Sequence, residues 1–184
     1  MKKSFDYFKT LKEMSVTVGD AYRNMVTTNE FNKETIRFSG LKWELSDNLF
    51  NEFVVPVERN DIYHMADCLS EELYFISKLS NIVALVDVNG FSFVESISSV
   101  FDKQSSVFKL LSDSKNFEKV FRQIGETKAI LNGVNASLVI SIKNCLKSTE
   151  QPLLRYAIIS GFYDIYKATD ETFCEIQRVV INNN

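Results

Sequence analysis

Glycine and proline are scarce in this sequence, six and two among 184 residues. These residues are the usual punctuation of irregular chain, and their scarcity argues for long regular elements. No stretch approaches the ~18 consecutive apolar residues that a membrane-crossing helix needs. No block of Lys and Arg occurs, so nucleic acid has no electrostatic footprint to bind. The formal net charge is −3, with both signs mixed along the chain. The start, Met1 to Asp6, is charged but is not followed by the apolar run of a signal peptide, so none is expected. Together these absences predict a cytoplasmic protein.

No C-x-x-C pair occurs. Cys68, Cys145 and Cys174 are widely spaced and odd in number, and they are read as reduced, buried small hydrophobes. Gly-rich phosphate loops, G-x-S-x-G and H-E-x-x-H are all missing. No catalytic site and no cofactor is predicted.

What is present is helical periodicity. With 45% hydrophobic residues and 15 Phe, a sizeable core can form. Apolar residues recur at spacings of three and four in six segments, and one all-α domain over residues 1–184 is expected. The first helix runs from about Ser4 to Thr27 and the second from about Lys33 to Val54. The second carries Ile36, Leu41, Leu45, Leu49 and Phe53 as its core stripe. Pro56 ends it, because the residue before a proline is pushed out of the α region.

The third helix, about Arg59 to Val86, has the clearest seam, through Ile62, Met65, Leu69, Leu73, Ile76, Leu79, Val83 and Val86. Glu58 and Asp61 have the spacing of a capping box before it. A turn is expected at Asp87-Val88-Asn89-Gly90. The fourth helix spans Phe91 to about Leu111, and Ser112-Asp113-Ser114 reads as a cap. The fifth covers about Asn116 to Leu146. The sixth is signalled by Ser148-Thr149-Glu150-Gln151-Pro152 and runs to about Val180. The β-branched runs 81–86 and 138–142 could be strands, but their neighbours are helical in period and no hairpin turn joins them.

The stretch Phe53-Val54-Val55-Pro56-Val57-Glu58-Arg59-Asn60-Asp61-Ile62-Tyr63 resembles the pattern F-I-T-P-I-D-R-E-D-I-Y. That pattern typifies the PhoU-like accessory proteins associated with low-affinity phosphate transporters. The opening Phe5-Asp6-Tyr7-Phe8 and the closing Lys167-Ala168-Thr169-Asp170 also suit the family. The resemblance implies two three-helix halves and a non-enzymatic regulatory role through protein–protein contact. Its implied partner is a phosphate transporter's cytoplasmic face, with the protein peripheral to the inner side of the membrane. Homo-oligomerisation stays open.

The same family holds metal ions on pairs of acids four residues apart on one helix face. Carried onto this chain without gaps, three of the four pairs fall at Thr35 and Ser39, at Ser70 and Tyr74, and at Tyr166 and Asp170; the remaining pair belongs in the fifth helix, where no acid occurs between Glu126 and Glu150. Only Asp170 keeps an acid, so loss of the family's metal centres is expected. The alternative is a rebuilt site from His64, Asp67, Glu71 and Asp170. His64 and Cys68, four apart, have the spacing of a mixed metal site or a thiolate pair, but the plainer reading is a surface cluster. Pro56, Glu58, Arg59 and Asp61 are read as a structural joint. Trp43 lies off the core stripe and is either half-buried surface or a partner contact. Phe162, Tyr163, Tyr166 and Phe173 are read as packing rather than a cofactor wall. An unrelated helical scaffold or a helical-bundle enzyme are the remaining alternatives.

Overall fold

A computed structural model describes residues 5–52, 55–85, 88, 90–145, 147 and 151–183. Among them the architecture is an all-α bundle: α1 (Tyr7–Thr27), α2 (Asn32–Asn51), α3 (Arg59–Val83), α4 (Phe93–Leu110), α5 (Phe117–Cys145) and α6 (Pro152–Asn182). A 3₁₀ turn, Ser114–Asn116, leads into α5. Residues 138–142 and 81–83 are helical. Several expected features fall outside the described residues: the helix ends at Ser4, Val54, Val86 and Leu146, core residue Phe53, turn residues Asp87 and Asn89, and the start signal at 148–150.

Local chemistry accounts for the helix ends. The Asp6 carboxylate accepts from the Lys9 amide at 2.9 Å and caps α1. Asp113 accepts from the Lys115 amide at 3.0 Å and starts the 3₁₀ turn, as the Ser-Asp-Ser signal predicts. Pro152 occupies the first turn of α6, where its missing N–H costs nothing. Glu58 is the cap residue of α3 but makes no side-chain cap bond, so the expected capping box does not form.

One apolar cluster draws on all six helices. Contacts run round a ring, α1 to α3, α3 to α6, α6 to α5, α5 to α4 and α4 back to α1. The first three helices therefore meet the last three along α1–α4 and α3–α6. The predicted seam of α3 is buried from Ile62 to Val83. Gly161 lets α6 approach it, since a Cβ there would come within 2.6 Å of a Leu79 methyl. Phe162 packs its ring against Phe93 and Tyr22, and Phe173 is fully buried, so these aromatics are core.

α2 departs from the ring. It lies on α1 and barely reaches α3. Only Phe38, Leu45 and Leu49 of its side chains are buried. Ile36, expected in the core stripe, is 74% exposed. It stands on the side of the helix opposite Leu45, so the stripe that includes it mixes two faces.

Candidate functional site

The joint between α2 and α3 is built from the end of one helix and the start of the next. Glu52 accepts from the Tyr7 hydroxyl at 2.9 Å and from the Phe5 amide at 3.0 Å. Burial, then this bond to a carboxylate, pushes the Tyr7 phenol up to about 12. The Arg59 guanidinium donates to the Glu52 carbonyl oxygen. Pro56 and Glu58 are exposed in the connecting segment. Asp61 points instead to the far end of the chain. Its side chain is 3% exposed and accepts from Arg178 Nη2 at 2.7 Å. Arg178 also binds Glu175, and the two acids raise its pKa. Asp61 thus fastens the start of α3 to the end of α6.

The residues read as a rebuilt metal site are not gathered. His64 and Glu71 are exposed. Asp67 pairs with Lys42 of α2 at 2.9 Å, and Asp170 pairs with Lys128 of α5 at 2.8 Å. Lys42 also donates to the Ser70 hydroxyl at 2.8 Å, and Lys128 to the Cys174 sulfur at 3.0 Å. An ammonium thus sits at each carboxylate. Partial burial alone would lower the Lys128 pKa, but the bonds to Asp170 and Cys174 and the charges beside it together outweigh that, and the net shift is upward. Among the described residues no group of three or more His, Cys, Asp or Glu is placed to hold a metal ion.

The Cys68 thiol is pushed up to about 12, first by burial and then by the acids Glu175, Glu72, Glu171 and Glu71. It stays a thiol at neutral pH and is no nucleophile. Of the three cysteines only Cys145 is buried; Cys68 is half-buried and Cys174 exposed, against the expectation that all three are buried. Cys174 lies on the outer side of α6, where Lys128 reaches it.

The positions aligned with the first two acid pairs converge. Thr35 and Ser39 of α2, with Ser70 and Tyr74 of α3, line one open groove of about 560 Å³. Lys42, held by Asp67, supplies its charge. Phe38, Trp43 and Leu73 supply its apolar walls. Thr35 and Ser39 turn their hydroxyls back to carbonyls one turn earlier in α2. No carboxylate lines this groove, whose chemistry is an apolar trough with hydroxyl edges and one cation.

No protein-family model matches the chain, and no match to a curated protein was found.

The sequence reading missed Glu72. It is wholly buried, accepts from Thr172 of α6 at 2.6 Å and from Gln104 of α4 at 3.0 Å, and so ties three helices together. Burial raises its pKa to about 7, despite those two bonds. The signal was available: Glu72 lies three residues after Leu69 and four before Ile76, inside the α3 seam. Among the described residues, no helix is long and apolar enough to cross a membrane.

Proposed function

We propose that this chain is a non-enzymatic accessory protein of PhoU-like kind that acts by contact with another protein through the α2–α3 groove. The groove carries the reading. Four positions that align with acid pairs in the resembled family meet in one place, and there they present hydroxyls and apolar walls instead of carboxylates. A trough with Trp43, Leu73 and Tyr74 along it suits an apolar helix or loop, the helix-in-groove mode of recognition. The partner we assign is the cytoplasmic face of a phosphate transporter, and the protein works beside the inner face of the membrane.

A photo-crosslinking residue at Tyr74, which is 62% exposed, tests this in cells. A cross-link to a phosphate transporter, with altered phosphate uptake when the chain is deleted, is the expected result. Unchanged uptake and no transporter adduct would end the proposal.

On this reading the groove works without metal. A divalent ion needs several converging oxygen or nitrogen ligands. Here the lysines already balance Asp67 and Asp170. Elemental analysis of protein purified without a histidine tag should find no stoichiometric iron, nickel or zinc. A metal ion lost on Asp170→Ala would contradict the reading.

A further inference from the structure

Three large apolar side chains stand on α2 at intervals of seven residues. Ile36 is 74% exposed, Trp43 71% and Phe50 88%. Seven residues make almost two helical turns, so the three form one stripe along the helix. The stripe lies opposite the face that buries Phe38, Leu45 and Leu49. Single exposed apolar residues are ordinary, but a row of three large ones on one helix calls for a covering surface.

Between them on the same face stand Ser39, Gly40, Ser46 and Asp47, three of them small. A Cβ at Gly40 would meet nothing within 4 Å, so nothing inside the chain requires a glycine there. Charge is ordered as well. The flank beside the stripe carries Lys33 and Arg37 in the first half of α2, then Glu44 and Asp47 in the second half.

We infer that this stripe is the interface between two copies of the chain, with the two α2 helices antiparallel about a two-fold axis at Trp43. In that arrangement Trp43 meets its own counterpart, and Ile36 meets Phe50 of the second copy. Ser39 faces Ser46 of the second copy, small against small, which lets the helices approach and seats the indoles, and Gly40 leaves room beside Asp47 of the second copy. Arg37 comes beside Asp47 of the second copy, and the same pair recurs across the axis. A parallel arrangement would set this flank against the other side of α2, which carries Thr35, Ser39 and Ser46, so Arg37 and Asp47 would not meet. The flank therefore selects the antiparallel form, and the patch is self-complementary, as a two-fold interface must be. The four aromatic side chains bury ~150–250 Å² each, so with the two isoleucines the interface covers roughly 1,000 Å², near the lower bound for a specific interface.

This goes beyond the transporter reading. The groove opens on the α3 side of α2, whereas the stripe runs along the outer side, and the two share Ser39, Trp43 and Ser46. The experiment uses the purified full chain with no transporter present, so its outcome is independent of that reading.

Sedimentation equilibrium should show a dimer. Trp43 is the only tryptophan, so its fluorescence should shift to longer wavelength as dilution separates the copies. Trp43→Glu and Phe50→Glu should each give a monomer with an unchanged helical circular dichroism spectrum. Arg37→Asp alone and Asp47→Arg alone should each weaken the dimer roughly tenfold or more, and the double substitution should restore it. A wild-type chain that stays monomeric at high micromolar concentration would overturn the inference. So would a dimer that survives both glutamate substitutions, or charge substitutions whose effects simply add.

Discussion

α2 and α5 are the middle helices of their respective halves, yet they are built differently. α5 is clasped between α4 and α6 and buries a row from Phe117 through Val120, Ile124, Leu131 and Val134 to Leu138. α2 rests on α1, leaves a groove against α3, and exposes its largest side chains. Each contributes one lysine to a carboxylate on the next helix, Lys42 to Asp67 and Lys128 to Asp170. The polar link is thus similar in the two halves, and apolar burial is what differs. Apolar burial decides how firmly a helix is held, since a part-exposed ion pair contributes at most about 1 kcal/mol. The loosely held helix is the one whose outer face is left uncovered among the described residues.

The largest test of this contrast is at leucines on either side of the boundary. Leu69→Ala, deep in the α3 seam at 0% exposure, should cost about 2–5 kcal/mol in denaturant unfolding. Leu73 also lines the groove, where neighbours can relax into the space, so Leu73→Ala should fall at the low end of that range or below it. Equal losses would mean that the groove is as tightly packed as the seam.

Next in size is the buried acid of the ring. Glu72 titrates at about 7 in the folded chain, against its usual 4.5. Between those values the folded state holds a proton that the unfolded chain has released. The stabilising contribution is therefore full below pH ~4.5 and is lost as pH rises through about 7, roughly 3 kcal/mol in all. Gln104 Oε1 is buried with no hydrogen-bond partner among the described residues, an acceptor that protonated Glu72 could reach if the amide turns over. Glu72→Gln should flatten stability against pH over this window relative to wild type. A variant with the same slope would remove Glu72 as its source.

The smallest effect should change sign between the two regions. Gly40→Ala, on the open face of α2, should stabilise by up to ~1 kcal/mol through helix propensity, measured below the concentration at which copies associate. Gly161→Ala would press on Leu79 at 2.6 Å and should destabilise by ~1 kcal/mol or more. Shifts of the same sign in thermal unfolding would erase the distinction between a packed and an open helix face.

Helix number and most helix limits were readable from the chain, because period and capping chemistry are local. α3 begins at Arg59 and α6 at Pro152, close to where the prolines place them, although the capping box at Glu58 does not form. The face of α2 was less readable. Ile36 and Leu45 both fit a loose apolar pattern, and only the position of α1 selects between them. Glu72 was missed because an acid inside an apolar seam is visible only when the seam is read residue by residue.

By itself the sequence determined an all-helical chain with a strong α3 seam and no long apolar span, because helix formation and amphipathic period depend on neighbours within a few residues. Which faces are covered was decided only in three dimensions. The convergence of Thr35, Ser39, Ser70 and Tyr74, the pairing of Asp61 with Arg178 across 117 positions, and the bare stripe of α2 all depend on how helices pack. Packing joins residues distant in the chain, and the local pattern of either partner does not encode the other.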